Sequence, residues 1–225
     1  MPKLRLDVLY EDNHLLVVNK PAGLATQGVV EGAPSVLTVA KGYLKQKYKK
    51  PGNVYLGVVS RLDAAVSGVL VLARTSKAAA RLSEQFRERQ VQKTYWAVVE
   101  QAPDPAAGEL EDWVKKDERM QRMLVVTKHT AGAQRARLSY RTLHQTAHGC
   151  LVEVRLETGR KHQIRLQLAE LGCPILGDRK YGCRKPFASG IALHARMLEI
   201  AHPVSKAPLR FEAPVPTSMA PFVAT

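Results

Sequence analysis

The stretch from Val59 to Arg74, Val-Ser-Arg-Leu-Asp-Ala-Ala-Val-Ser-Gly-Val-Leu-Val-Leu-Ala-Arg, constrains this chain more than any other. Its apolar run, Val69 to Ala73, is too short for a buried helix. Being rich in β-branched residues and bounded by Gly68 and Arg74, it reads as an interior strand. Asp63 then sits on the loop leading into a buried strand, a rigid mounting with access to solvent. The plainer reading is that Asp63 pairs with Arg61 or caps a turn, and the stretch alone does not separate the two.

Around it the chain alternates strand and helix signals. Leu6 to Tyr10 and His14 to Asn19 flank Glu11-Asp12-Asn13 and read as a β-hairpin, ending where Pro21 and Gly23 stop the strand. Lys20 is then a cation at a strand end. Ser35 is a plausible N-cap for a helix with Val36, Val39, Ala40, Tyr43, Leu44 and Tyr48 at helical spacing. Its other face carries Lys41, Lys45, Lys47, Lys49 and Lys50 with no acid among them, which makes phosphate contact at least as reasonable as simple solvation. Ser76 begins a second amphipathic helix, with Ala79, Leu82 and Phe86 on one side. Gln92 to Glu100 reads as a strand. Gln101 to Asp112, rich in Pro, Ala and acids, reads as a surface connection, and the basic segment Lys115 to His129 as an exposed hairpin or loop suited to RNA. Leu138–Leu143, Leu151–Leu156, Ile191–Ala201 and Leu209–Ala213 are further strand candidates. Strands outnumber helices, and the helices are not regularly interspersed. That predicts an α+β fold with a mixed, largely antiparallel central sheet flanked by helices and loops, rather than a doubly wound one.

From Thr158 to Gly172 a third helix is expected, capped by Thr158 and closed by Gly172, with Ile164, Leu168 and Leu171 on its buried side. Arg160, Lys161, His162 and Arg165 crowd its first turns. Cations there oppose the helix dipole, so an anion nearby, phosphate or carboxylate, would answer a local conflict.

The formal net charge of +14, from 34 Lys and Arg against 20 Asp and Glu, favours a polyanionic partner, most often nucleic acid. Cys150, Cys173 and Cys183 form no metal-binding spacing, and their odd count argues for free thiols in a reducing compartment. The N-terminus, with Lys3, Arg5, Asp7, Glu11 and Asp12, shows no secretory signal, and no membrane span is found. A cytoplasmic location is the expectation.

Several of these stretches together resemble the RluA-type pseudouridine synthases. Lys20-Pro21-Ala22-Gly23 is similar to the family's first motif, Arg61 to Gly68 to its catalytic motif and Lys93-Thr94-Tyr95-Trp96-Ala97 to its tyrosine motif. Thr158 to Arg165 and Gly177-Asp178-Arg179-Lys180-Tyr181-Gly182 resemble the motifs that follow, and Leu193-His194-Ala195 and His202-Pro203 the closing pattern. Ser60, Val66 and Gln167 depart from the pattern, standing where His, Thr and His are common. The resemblance implies a single pseudouridine synthase catalytic domain over residues 1–225, without a separate N-terminal RNA-binding domain. It implies isomerisation of uridine to pseudouridine in structured RNA, ribosomal RNA of the large subunit being favoured over transfer RNA. No cofactor or metal is expected, nor a DNA or membrane partner, and the expected state is a monomer.

The resemblance further implies that Asp63 is the nucleophile or base, that Arg165 holds its carboxylate oriented, and that Tyr95 stacks on a flipped-out uracil. A carboxylate needs aiming rather than activation at neutral pH, whereas a phenol is a poor base there. Lys20, Arg61, Arg160 and His162 are the candidate RNA contacts. Three other classes were weighed. An aspartyl phosphatase would want a second carboxylate where Ala65 stands. A glycosidase would need a carboxylate partner for Asp63. A catalytically silent RNA-binding or ribosome-assembly protein of the same fold remains the alternative, and it has no need of Asp63, Tyr95 and Arg165 together.

Overall fold

In chain order the elements of the computed structural model, which describes residues 6–30 and 32–223, are β1 (Asp7–Glu11), β2 (Leu15–Lys20), α1 (Val36–Lys47), β3 (Gly57–Val58), β4 (Ser67–Ala73), α2 (Ser76–Arg87), β5 (Gln92–Val99), β6 (Ala107–Asp117), β7 (Arg122–Val126), β8 (Gln134–Thr146), β9 (Gly149–Leu156), α3 (Gln163–Glu170), β10 (Leu193–Ala201) and β11 (Pro208–Glu212). The fold is α+β with largely antiparallel strand pairing. Lys3 and Arg5, which entered the reading of the N-terminus, lie outside the described residues. The chain gathers into two units, one taking it up to Val91 together with Ala195–Pro214, the other taking Gln92–His194 and the chain from Val215 on.

In the first unit β4 lies between β2 and β10, with β1 outside β2 and β11 on β10. The β2–β4 ladder is antiparallel, running from Leu15↔Ala73 to Lys20↔Gly68. Alternate residues of these strands face opposite layers. Leu15, Val17, Val69 and Val71 pack with Ala78 and Leu82 of α2. Leu16, Val18, Leu70 and Leu72 pack with Val36, Ala40 and Leu44 of α1. Being covered on both faces is what makes the Val69–Ala73 run uninterrupted. Truncating one of its central residues, Leu72→Ala, would cost about 2–5 kcal/mol.

The helix starts follow from capping. Ser35 Oγ accepts the Thr38 amide at 3.2 Å while Thr38 Oγ1 accepts the Ser35 amide at 2.8 Å, a reciprocal capping box. Thr75 caps α2 through the Ala78 amide. The β1–β2 turn forms as expected, because Asp12 accepts the His14 and Leu15 amides, each at 2.7 Å. One expectation needs correcting. Lys47 has an acidic partner after all, Glu11 at 2.7 Å, supplied by the neighbouring hairpin rather than by its own helix.

The second unit has the strand order β5-β9-β8-β6-β7. The segment expected as a surface connection is a strand from Ala107, because its acids have cross-strand partners: Glu111 takes Arg135 bidentately at 2.8 and 2.9 Å, and Glu109 takes Arg137 at 2.6 Å. The basic segment after it is the β6–β7 hairpin, paired from Trp113↔Val126 to Asp117↔Arg122. Cys150, Cys173 and Cys183 are free thiols, and burial pushes all three above the usual thiol range.

The third helix departs most from expectation. It begins at Gln163, and its cap position is His162, at φ 53° with no side-chain cap. Thr158 is committed elsewhere: its hydroxyl donates to Gln163 Oε1 at 2.7 Å and accepts the Arg137 amide at 2.8 Å. Nor is the helix two-faced, since every residue from Gln163 to Leu168 is buried. Its end is as expected. Gly172 takes φ 81°, its amide bonds the Ala169 carbonyl, and the Cys173 amide bonds that of Leu168, the double closure that a glycine permits.

Candidate active site

In the first unit, the loop that presents Asp63 is held from both sides by the segment Lys20–Thr26. On the N-terminal side, Thr26 Oγ1 donates to the Leu62 carbonyl at 2.8 Å and accepts the Leu62 amide at 3.1 Å. On the C-terminal side, the Ala64 carbonyl accepts the Gly23 amide at 2.7 Å and Lys20 Nζ at 3.2 Å. The Asp63 carbonyl accepts the Val66 amide at 3.1 Å, closing a turn over Ala64 and Ala65. Gly23, at φ 87°, can turn its amide toward Ala64 because it has no Cβ. Gly68 is required for a different reason: at φ 115° any Cβ would lie 2.2 Å from the Ala195 carbonyl oxygen of β10. Asp63 itself is half-buried and Arg61, two residues before it, is exposed.

Lys20, expected as an RNA contact, is corrected to an internal strut. Its exposure is 0%, and Nζ also donates to Pro21 O at 2.8 Å and Leu24 O at 2.7 Å. Burial pushes the ammonium down to about 8, while the Asp63 charge acts to hold it up. A lysine with three carbonyl acceptors and no solvent cannot also reach a phosphate. Its place at a strand end was legible; its position opposite Gly68 and its burial, which depends on the loop folding over it, were not.

In the second unit Arg165 lies on α3, inside the protein. Nε and Nη2 donate to Asp178 Oδ2 and Oδ1 at 2.6 and 2.8 Å. The side chains are only 9% and 1% exposed, so the pair is desolvated and its geometry fixed. The guanidinium lies over the Tyr181 ring, 5.0 Å from its centroid. Tyr181 Oη accepts the Met123 amide of β7 at 3.0 Å and meets His162 Nδ1 at 2.8 Å. Asp178 is the residue sequence reasoning missed. The conflict noted at the start of α3 called for a carboxylate, and the motif Gly177 to Gly182 contained one.

The other candidates are placed as follows. Tyr95 stands on β5 opposite Val154 of β9, half-buried. Arg160 is half-buried, its Nε donating to the Arg135 carbonyl at 2.9 Å and its amide to Gln163 Oε1 at 3.0 Å. The unexpected Gln167 belongs to a buried chain of amides: Gln163 Nε2 donates to its Oε1 at 3.0 Å, and its own Nε2 donates to Asp112 at 2.7 Å. Thus the structure brings Asp63 together with Lys20, and Arg165 together with Asp178, Tyr181 and His162. Among the described residues no group of His, Cys, Asp and Glu side chains is arranged to hold a metal, and no helix is long and apolar enough to cross a membrane.

A carboxylate on a clamped loop and a buried, braced guanidinium agree with what comparison finds. The RNA pseudouridylate synthase family model matches residues 14–170, and the chain belongs to that family. It is 38% identical to the ribosomal large subunit pseudouridine synthase D of Xylella fastidiosa, over 97% of this chain and 69% of that protein. It is 36% identical to the dual-specificity RNA pseudouridine synthase RluA of Escherichia coli, over 93% of each. Among solved structures, human RNA pseudouridylate synthase domain containing 4 superposes with a TM-score of 0.79 at 29% identity, covering 96% of this chain and 92% of that one.

Proposed function

We propose that the protein, an RNA pseudouridine synthase by family, uses Asp63 to isomerise uridines in structured RNA. The N1–C1′ bond breaks, the uracil turns, and C5 joins C1′; C5 gives up its proton and N1 takes one up. Atoms and oxidation level are conserved, so the reaction itself draws on no redox partner. The observation that carries this reading is the double clamp on the peptides either side of Asp63, which aims its carboxylate. Asp63 serves as nucleophile, at C1′ or C6, or as the base that removes a ribose proton. Arg165, its plane fixed by Asp178, orients that carboxylate, and Tyr95 stacks on the extruded base. Arg61, Arg160 and His162 contact the RNA backbone around it.

Large-subunit ribosomal RNA is the favoured substrate, with transfer RNA second. The name of the Xylella fastidiosa relative, a ribosomal large subunit pseudouridine synthase, supports the first of these. The working state is a monomer in the cytoplasm, with neither DNA nor membrane as a partner.

The deciding experiment maps pseudouridine in total RNA from cells with and without the gene, and repeats it with Asp63→Asn restored in place of the parent. A site that vanishes in both deletion and Asp63→Asn cells names the substrate. Unchanged maps in ribosomal and transfer RNA would leave the catalytically silent RNA-binding protein as the better reading.

A further inference from the structure

We propose that the C-terminal half of α1 and the turn after it form a second RNA-contact surface, which grips the ribose–phosphate chain and stacks one unpaired base, apart from the segment held at Asp63. The choice of RNA as the polyanion rests on the function proposed above; the surface rests on its own observations.

Lys41, Lys45, Lys47, Lys49 and Lys50 are all exposed. Among the described residues the acid bonded to this group is Glu11, occupied by Lys47 at 2.7 Å, Arg74 at 3.1 Å, Tyr43 Oη at 2.8 Å and Tyr48 Oη at 2.6 Å. Glu11 therefore acts as an internal anchor and does not neutralise the lysines beyond Lys47. That anchor holds Tyr48 by its hydroxyl while its residue stays 46% exposed. The Arg74 guanidinium lies 4.9 Å and Lys47 Nζ 5.6 Å from the ring centroid. An exposed aromatic ring fixed at its polar end and flanked by cations is the arrangement that stacks a nucleobase while its phosphates are held.

The end of the helix adds a second indication. Lys49 takes φ 48°, and its amide and that of Lys50 close the helix on Gln46 and Lys45. Glycine is the ordinary residue at that position. The lysine there adds its charge to the surface.

The same helix measures the distance to the site. At its start the Val36 and Leu37 amides bond the Ala25 and Thr26 carbonyls, and Thr26 is the residue that holds Leu62. Twelve residues at about 1.5 Å each put the lysine end about 18 Å along the axis. With phosphates about every 3.4 Å along a stacked strand, that is about five nucleotides from the one at Asp63.

The test measures binding of a fluorescein-labelled, unmodified transfer RNA transcript between about 50 and 200 mM salt. The combined variant Lys45→Gln, Lys49→Gln, Lys50→Gln is compared with a charge-matched control, Lys77→Gln, Arg87→Gln, Lys206→Gln, taken from exposed positions elsewhere on the first unit. Loss of three phosphate contacts should lower the slope of log K against log salt by about 2–3; the control should change it by less than about 1. Tyr48→Ala should weaken binding by about 5–100-fold and Tyr48→Phe, which keeps the ring, by less than about threefold. Equal slopes for parent and lysine variant overturn the proposal. So does a control as damaging as the variant, or binding of phosphatidylserine vesicles that the lysine variant loses while RNA binding stays intact. Pseudouridine formation by the parent is scored on the same RNA. A parent that binds but forms none on this RNA, nor on an unmodified transcript of large-subunit ribosomal RNA, breaks the function proposed above and leaves this surface to the slopes.

Discussion

The two units hold their functional side chains in opposite ways. Around Asp63 the backbone is tied down, through Leu62 and Ala64. Around Arg165 the headgroup itself is tied down, by two hydrogen bonds to a buried carboxylate and by the ring beneath it. The difference matches the roles proposed for the two groups: a reacting carboxylate is aimed through its peptide, and a guanidinium proposed to direct gains by being rigid. Removing Asp63's charge should therefore cost chemistry first, while removing Arg165's brace should cost both chemistry and stability.

The largest effect falls on the first unit. Asp63→Asn keeps the shape and the backbone clamp, while tritium release from RNA carrying 5-tritiated uridine falls by at least about 10⁴-fold, as loss of a reacting group does. Residual activity within tenfold of the parent would mean that the clamp aims something other than a reactive carboxylate. Next comes Asp178→Asn. It leaves a buried guanidinium without its counter-charge and should cost about 3–5 kcal/mol in urea unfolding, with a drop in kcat of about 10²-fold as Arg165 loses its direction. The double variant Arg165→Met, Asp178→Leu refines this. Stability should largely return, because an apolar pair replaces an ionic one, while activity stays lost. If activity returns as well, Arg165 is structural only.

Much of this was legible from local pattern. The Val69–Ala73 strand, the Ser35 cap, the Asp12 turn and the Gly172 closure each follow from residues within a few positions of one another. What was not legible depended on contacts remote in sequence. Lys20 looked like a surface cation because nothing near it in sequence shows that Leu24 and Ala64 fold over it. The acids at Glu109 and Glu111 looked like loop residues because their partners, Arg135 and Arg137, are a strand away. The third helix was misread as amphipathic because Gln163, Arg165 and Gln167 are polar, yet all three are buried with hydrogen-bond partners from elsewhere. In each case burial with a distant partner overrode the local preference.

Lys20 gives a third prediction, in the direction of pH. Its ordinary value of 10.5 falls to about 8 in the folded protein. Between those values the unfolded chain binds the proton more tightly, so the Lys20 contribution to stability rises with pH across the window; below pH 8 the cost of burying the charge is fully present. The span corresponds to about 3 kcal/mol. Urea unfolding of parent and Lys20→Met, followed from pH 7.5 to 10.5, should show the parent gaining on the variant as pH rises. Parallel curves would mean that Lys20 is not held charged against burial, and the first unit's clamp would lose one of its two C-terminal ties.

The smallest effect asks how much of the second unit's rigidity comes from the ring rather than the carboxylate. Tyr181→Phe keeps the surface under the Arg165 guanidinium and removes only the hydroxyl that accepts the Met123 amide and meets His162. A buried amide left without its acceptor costs about 1–2 kcal/mol, so urea unfolding should fall by that amount and amide exchange at Met123 should speed up. Because Asp178 still fixes the headgroup, kcat should fall by less than about threefold, well short of the Asp178→Asn loss. If Tyr181→Phe matched Asp178→Asn in kcat, the direction of Arg165 would be set through the β7 and His162 contacts, and the contrast between a tethered backbone and a tethered headgroup would have to be redrawn as one network running through the Tyr181 hydroxyl.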